Sequence, residues 1–334
     1  MQIPISFINT TEKVGKDINL VQGPGGNISY KENGYMYIKA SGTKMSDVKK
    51  KNIFVKTNYR KILLAIRNKD IDPVKNSWDE DDGRIPSIET SMHAIMPHKF
   101  VLHVHCVNTL SWIVQKNYLN KINSILKDEN WSSVPYRKPG ICLSEEIKKV
   151  IDQNKSDVIL LSNHGIVAGA DTPEKVYNLT KRISQKLYLG ELGINKLNLN
   201  DFNNFLLSEV YKLPKFEYVH QIAFSRKHSL IATKGTLFPD QIVFLENGIV
   251  VIEKMTDFEN LLKLRISNLP VILIPNTGIL VPHDFKEVNE NILLGLAMII
   301  ARIPINSSIK YLTKSEINEL LNWDLEKHRK KINN

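Results

Sequence analysis

The sequence has little cysteine and no long apolar run. Only two cysteines, Cys106 and Cys142, occur in 334 residues, too few for a disulfide framework or a Cys-x-x-Cys metal site. The longest strongly apolar stretch, ILLGLAMII at residues 292–300, is far shorter than the roughly 20 residues of a membrane span. The N-terminal stretch MQIPISFINTTEKVGKD lacks the basic and then apolar order of a signal peptide. We therefore expect a cytoplasmic protein with no membrane partner.

Arginine-rich arms, low-complexity tracts and internal repeats are also missing. The net charge of +10 raises nucleic acid as a partner, but the lysines are scattered and do not alternate with aromatic residues. A solvated basic surface explains this scatter. The alternative is a site for small anions, because a positive field concentrates them. We therefore expect no nucleic-acid partner.

The chain is long enough for two domains. Short apolar runs, turn clusters and amphipathic helices alternate up to about residue 200. This sequence pattern changes around YKLPKFEYV at residues 211–219. We predict a larger domain over residues 1–212 and a smaller domain of unknown role over residues 213–334. In the second region, QIVFLENGIVVIEK predicts a β-hairpin with Asn-Gly at its turn, and residues 292–300 predict a buried helix.

Three histidines form a candidate metal site. The stretch KFVLHVHCVNTL places His103 and His105 one residue apart in a predicted buried strand, where residues i and i+2 face the same side. They could bind one ion together, although neutral histidines also satisfy themselves in cores through backbone hydrogen bonds. His164, in LSNHGIVAG, follows a predicted strand at a turn expected to face a cleft. Three nitrogen ligands with an open position are the pattern of catalytic zinc sites.

Glu89, in IPSIETSMH, is predicted to lie in the first turn of the helix that leads into the histidine strand. A carboxylate there often interacts only with the helix dipole. Near a divalent ion it could instead be a fourth ligand or a general base. His93, one helical turn further on, is interpreted as a residue that supports or packs near this site rather than as a ligand.

Two glycine turns, in GPGGNIS and ASGTK, form a candidate anion site. Backbone N–H groups at Gly25, Gly26 and Asn27, and at the second turn, could form nests for a phosphate. Each pattern taken alone is typical of an ordinary turn. The pattern differs from the P-loop and from the dinucleotide-binding fingerprint.

Taken in order, GGNIS, ASGTKM, PSIETSMH, HVH and NHGIVAGADTPEK resemble the class II aldolase/adducin family over roughly residues 8–200. The similarity is greatest to the aldolase half of bifunctional rhamnulose-1-phosphate aldolase/alcohol dehydrogenase proteins. The segments YIKASGT, ETSMHAIMPHKFVLHVH and VPYRKPG carry that similarity.

The resemblance implies a three-layer α/β/α domain around a mostly antiparallel sheet, followed by a smaller α/β or α+β domain. It implies zinc, or another divalent metal, held by His103, His105 and His164, with Glu89 as the acid/base. It also implies a set of residues that bind the substrate phosphate, namely Gly26, Asn27, Ser41, Gly42 and Ser87. Members of the family are commonly tetramers with the active site near a subunit interface, so a homo-oligomer is expected. One departure is Ile88, where small-sugar-phosphate aldolases have a second serine, so one hydrogen bond to a phosphate is missing.

The expected function is that of a metal-dependent lyase, an aldolase that cleaves or forms a carbon–carbon bond of a sugar or sugar phosphate through a zinc-stabilised enediolate. An epimerase, decarboxylase or dehydratase acting on a sugar phosphate or sugar acid at the same metal is the alternative. An alternative of another class is a non-catalytic assembly protein, because adducin head domains share the fold but lack the metal ligands. The three histidines and the glutamate favour an enzyme.

Overall fold

A seven-stranded sheet organises the first half of the chain. The structure, a computed structural model, describes residues 3–79, 83–191, 193–206, 209–246, 248–264 and 269–333. The strands are β1 (Asn27–Glu32), β2 (Tyr35–Lys39), β3 (Phe54–Asn58), β4 (Phe100–Val104), β5 (Trp131–Val134), β6 (Val158–Leu161) and β7 (Gly165–Ala170). Their order is β3-β2-β1-β4-β7-β6-β5, and all neighbours are antiparallel except β5 and β6. The predicted mostly antiparallel sheet is confirmed.

Helices cover both faces of this sheet. They are α1 (Ile5–Gly15), α2 (Tyr59–Arg67), α3 (Thr90–Ile95), α4 (Val107–Ile113), α5 (Tyr118–Ile125), α6 (Ile141–Asn154) and α7 (Pro173–Lys186). Because successive strand residues point to opposite faces, β4 sends Leu102 and Val104 into a core with α1, α4, α5 and α7. Val101 enters a second core with α2, α3 and α6 on the other face. The predicted three layers are confirmed.

A second, four-stranded sheet follows in the C-terminal region. Its strands are β8 (Tyr211–Lys212), β9 (Ile249–Val251), β10 (Val271–Ile274) and β11 (Gly278–Pro282), in the order β8-β11-β10-β9. The helices are α8 (Asn203–Leu206), α9 (Arg226–Lys234), α10 (Pro239–Leu245), α11 (Met255–Lys263), α12 (Glu287–Arg302), α13 (Lys314–Leu321) and α14 (Asp324–Asn333). The predicted additional α/β region is confirmed. The division at residues 212 and 213 stays a proposal, and β8, beside that point, pairs with β11.

The long helix α12 joins the two regions. Its apolar residues belong to the same core as α1, α4 and α7, and the Ser111 hydroxyl of α4 donates to the carbonyl oxygen of Ile299 at 3.3 Å. Residues 292–300 therefore form part of a buried helix, as predicted. Within the described ranges, no helix is long and apolar enough to cross a membrane.

The hairpin predicted for QIVFLENGIVVIEK is wrong. Residues from Pro239 to Leu245 form helix α10, and only Ile249–Val251 is a strand. Proline at the first helical position has its φ already set for a helix, and α10 is buried on most sides among other apolar residues. Asn247, the first residue of the predicted turn, lies outside the described residues.

Candidate metal centre

The ends of neighbouring strands bring the predicted ligands together. β1 pairs with β4 so that Asn27 lies opposite His103, and β4 pairs with β7 so that His103 lies opposite Val167. His105 comes just after β4, and His164 just before β7. All nine predicted site residues therefore meet at one place. Eight of them line a common pocket, namely Gly26, Asn27, Ser41, Gly42, Ser87, Glu89, His105 and His164, and His103 contacts Glu89 beside it.

The three histidine rings face one another in a buried cluster. Their centroids are 4.9–5.3 Å apart, and one ligand nitrogen of each lies within 4.8 Å of the others. Nδ1 of His103 donates to the carbonyl oxygen of Ile166 at 3.0 Å, so its Nε2 keeps a free lone pair. Nε2 of His103 and Nε2 of His105 are buried and have no hydrogen-bond partner among the described residues, and Nε2 of His164 lies 3.2 Å from Glu89. Unpaired buried polar atoms are rare, and these fit a divalent metal such as zinc.

Glu89 lies beside the histidines at the spacing of a metal ligand. Its Oε2 is 3.3 Å from Nε2 of His103, and its Oε1 is 3.2 Å from Nε2 of His164. A tetrahedral ion with bonds of about 2.0–2.1 Å holds its ligand atoms about 3.3 Å apart. Burial disfavours the charged carboxylate, but the histidines and a hydrogen bond from Asn27 outweigh it and lower the pKa of Glu89 to about 2. Glu89 is therefore ionised at neutral pH, and it precedes α3 rather than lying in its first turn.

A chain of buried hydrogen bonds orients Glu89. Nδ2 of Asn27 donates to Oε2 of Glu89 at 2.7 Å and to the Ser87 hydroxyl at 3.0 Å. Oδ1 of Asn27 therefore points the other way and accepts from Nε2 of His93. Nδ1 of His93 then accepts from the Ser29 hydroxyl at 2.8 Å. Burial holds the pKa of His93 well below its ordinary value, which keeps the ring neutral, so His93 fixes the orientation of Asn27.

The two glycine turns meet at the same pocket. Gly26 and Gly42 have φ values of +63° and +72°, a conformation that favours glycine. The backbone N–H groups of Gly25, Ser41 and Thr43 donate to carbonyl oxygens of the protein itself. The Ser41 hydroxyl, by contrast, is buried and has no hydrogen-bond partner within the described chain. An anion at these turns would therefore meet side-chain donors, above all this hydroxyl.

Lys39, a pocket residue that the sequence analysis missed, links the two glycine turns by hydrogen bonds. Its Nζ donates to the carbonyl oxygens of Pro24 at 3.1 Å and Thr43 at 2.7 Å. Burial lowers the pKa of Lys39 to about 7. Its place at the end of an apolar strand, directly before a glycine turn, is the signal that could have identified it.

The C-terminal region supplies three more charged residues to the pocket, Asp240, Glu326 and Arg329. Oδ2 of Asp240 lies 2.8 Å from Nδ1 of His105. Nη2 of Arg329 donates to Oδ1 of Asp240 at 2.5 Å, and its Nη1 donates to both carboxylate oxygens of Glu326 at 3.2 Å. Nothing in the sequence analysis pointed to these three residues.

Ile88, the departure from the family pattern, lies between the pocket and a second, more apolar cavity. The wall of that cavity includes Trp78, Trp323 and Lys138. The Lys138 ammonium group lies 4.5 Å from the ring centroid of Trp323. Ile88 therefore presents apolar surface where the family pattern has a hydroxyl.

Comparison with known proteins identifies one family. The family model described as "Class II Aldolase and Adducin N-terminal domain" matches residues 7–187. A curated relative, "Uncharacterized oxidoreductase YuxG" of Bacillus subtilis, is 27% identical over 188 residues, which are 52% of this chain and 27% of that protein. The chain thus spans about a quarter of the length of that relative.

Two solved structures are also similar. The N-terminal class II aldolase domain of a conserved protein from Thermoplasma acidophilum is 25% identical, covers 56% of this chain and 95% of its own, and has a TM-score of 0.49. An L-fuculose 1-phosphate aldolase is 19% identical, covers 55% of this chain and 84% of its own, and has a TM-score of 0.41.

Proposed function

This chain belongs to the class II aldolase and adducin N-terminal domain family, and on that premise we propose that it is a metal-dependent lyase of the aldolase type. The proposed substrate is a small sugar or sugar phosphate whose carbon–carbon bond is cleaved or formed. The observation that carries the proposal is the buried cluster of three histidines with unpaired ring nitrogens, beside which the ionised carboxylate of Glu89 lies at ligand spacing.

His103, His105 and His164 would hold the divalent ion, and zinc is typical of three-histidine catalytic sites. When bound, the ion supplies a Lewis acid for the negative charge that develops on the substrate oxygens. Glu89 takes or returns the proton at the substrate carbon. Asn27 keeps one Glu89 oxygen engaged, so that the carboxylate is held in one orientation.

Metal content tests the histidine cluster. We expect the purified protein to bind one divalent ion, and His164→Ala to bind it far more weakly because two ligands hold zinc poorly. His283→Ala, at an exposed histidine, should leave the metal content unchanged. Failure of the zinc-reloaded wild-type protein to retain any metal would refute the enzymatic function and leave the adducin-like assembly role.

The role of Glu89 is tested by deuterium exchange into a dihydroxyacetone phosphate-like donor without an aldehyde, which isolates proton transfer from bond cleavage. Glu89→Gln preserves size and removes the base, so exchange should slow by about 10²–10⁴-fold, the usual range for one acid/base group. Glu174→Gln, at an exposed position of α7, is the matched control. Exchange by Glu89→Gln at the wild-type rate would mean that another residue is the base.

The proposed phosphate site consists of Gly26, Asn27, Ser41, Gly42 and Ser87. Its support is the unpaired Ser41 hydroxyl, together with the Ser87 hydroxyl, which accepts from Asn27 and can donate its own proton at the same pocket. Calorimetry with inorganic phosphate should detect binding that Ser41→Ala weakens and the exposed Ser315→Ala does not. Equal phosphate affinity in the two variants would place the anion elsewhere.

A screen of ketose-1-phosphates, pentulose phosphates and sugar acids against the metal-loaded protein distinguishes the possible reactions. Release of an aldehyde supports the lyase. Inversion at carbon, loss of carbon dioxide or loss of water would instead assign an epimerase, a decarboxylase or a dehydratase at the same site. Sedimentation velocity tests the expected homo-oligomer, for which a tetramer is favoured.

A further inference from the structure

A buried carboxylate of the C-terminal region, that of Asp240, contacts one of the candidate metal ligands. Asp240, in the first turn of α10, is 1% exposed. Its Oδ2 lies 2.8 Å from Nδ1 of His105, at ion-pair distance, and forms no hydrogen bond with the described residues. The opposite nitrogen of that ring, Nε2, is the buried atom left free for a ligand bond. A carboxylate on the far nitrogen of a metal-binding histidine fixes the tautomer and the direction of the ring.

The other two histidines do not depend on this region in the same way. His103 is fixed by the carbonyl oxygen of Ile166, which belongs to β7 of the first sheet. Nδ1 of His164 has no hydrogen-bond partner among the described residues. Among the three histidines, and within the described residues, His105 alone has its far nitrogen next to a side chain from beyond residue 212.

Asp240 is itself held by the last helix of the chain. Arg329 of α14 donates to Oδ1 of Asp240 at 2.5 Å and to Glu326 at 3.2 Å, and all three side chains are buried. The same helix touches the second glycine turn, where Nδ2 of Asn333 donates to the carbonyl oxygen of Gly42 at 3.2 Å. Helix α14 therefore contacts both the partner of a candidate ligand and a turn of the proposed anion site.

We infer that the C-terminal region completes the metal centre: Asp240 is a positioning residue for His105, and Arg329 holds Asp240 in place. This inference rests on the proposed metal site. It gives the C-terminal region a role in metal affinity, exercised by holding one ligand ring in the orientation that binds the ion.

The test is zinc affinity by competition with a chromophoric chelator, measured on the full chain. Asp240→Asn should weaken zinc binding by about 10- to 100-fold, the usual effect of losing such a partner. Asp284→Asn, a matched change at an exposed position of the same region, should not. Asp240→Asn leaves Arg329 paired with Glu326. If that variant fails to fold, the triple variant Asp240→Asn/Glu326→Gln/Arg329→Met removes the three buried charges together and keeps the test valid.

The cobalt spectrum separates ring orientation from a merely structural role. At saturating Co²⁺, the visible absorption of Asp240→Asn or of the triple variant should shift, and that of Asp284→Asn should match the wild type. Wild-type zinc affinity in a folded variant that lacks Asp240 would overturn the inference and leave the proposed function intact. A wild-type protein that binds no zinc would overturn both.

Discussion

His93 should be one of the costliest polar residues to replace, although it is not proposed to bind metal or substrate. The ring is fully buried, and it joins the Ser29 hydroxyl to Oδ1 of Asn27. His93→Leu fills most of the same space and leaves both atoms unpaired. Each buried polar atom left without a partner costs about 1–3 kcal/mol, so we expect a loss of about 2–6 kcal/mol in the free energy of unfolding.

Urea unfolding measures this loss. The midpoint should fall while the slope with denaturant stays constant, which indicates a change in stability rather than in the unfolded state. The double-mutant cycle of His93→Leu with Ser29→Ala should give a coupling energy of at least about 0.5 kcal/mol, as residues in one network do. A loss below about 1 kcal/mol for His93→Leu, or additive effects in the cycle, would refute the buried chain of hydrogen bonds.

His93→Leu should also affect proton transfer by Glu89. Without His93, the Asn27 amide loses the partner that fixes its orientation, so its hydrogen bond to the Glu89 carboxylate, which lowers the pKa of Glu89, is held less firmly. Proton exchange into the substrate analogue should then slow. His228→Leu is a suitable control, because His228 is also buried and lies outside the pocket lining. Among the described residues, its ring bonds the carbonyl oxygen of Ile303 alone. His228→Leu should lower stability without changing the exchange rate per folded molecule.

Two further predictions concern the first sheet. In Gly26→Ala, the new Cβ would lie 2.7 Å from the carbonyl oxygen of His103, so urea unfolding should show a clearly larger loss than the roughly 1–2 kcal/mol of left-handed strain. Gly190→Ala, with φ of +81° and open space around the Cβ, should show that strain alone, and equal losses would refute the clash. Burial lowers the pKa of Lys31 to about 7, so the unfolded chain binds more protons above that pH and stability should rise with pH. Relative to Lys31→Met, the wild type should gain about 2 kcal/mol between pH 7 and 9, and parallel pH profiles would contradict this.

The sequence could predict the residues of the candidate metal centre because part of its geometry is local. Two histidines two residues apart on a strand must share a face, and the strand pairings then bring Asn27 and the turn at His164 to the same place. The three layers follow from the same alternation, since apolar residues on both sides of β4 require a core on each face. Glu89 precedes α3 instead of lying within it, a difference of one residue that the pattern of capping residues does not resolve.

The C-terminal contribution could not be predicted, because nothing local distinguishes it. Asp240 follows Pro239 at the start of a helix, where an acidic residue is explained by the helix dipole alone. Arg329 lies in LEKHRKK, which has the composition of a solvated helix. Arg329 contacts Asp240 across 89 positions of sequence. Asp240 in turn contacts His105 across a longer separation. The hairpin prediction is wrong for a related reason, since β-rich composition and Asn-Gly favour strands locally, whereas Pro239 starts a helix there.

The charges of the pocket lead to a last prediction, that phosphate binding depends on the metal. Glu89, Asp240 and Glu326 face Arg329 and Lys39, and the pKa of Lys39 is lowered to about 7, so the protein groups together carry net negative charge. A divalent ion offsets that negative charge. At an effective dielectric constant near 20, one pair of unit charges about 6 Å apart is worth about 3 kcal/mol, or roughly a hundredfold in affinity. Calorimetry should therefore show inorganic phosphate binding at least about tenfold more tightly to zinc-loaded protein than to chelator-treated protein, with the difference reduced by high salt. Equal affinities would place the phosphate too far from the histidines to share a substrate with them.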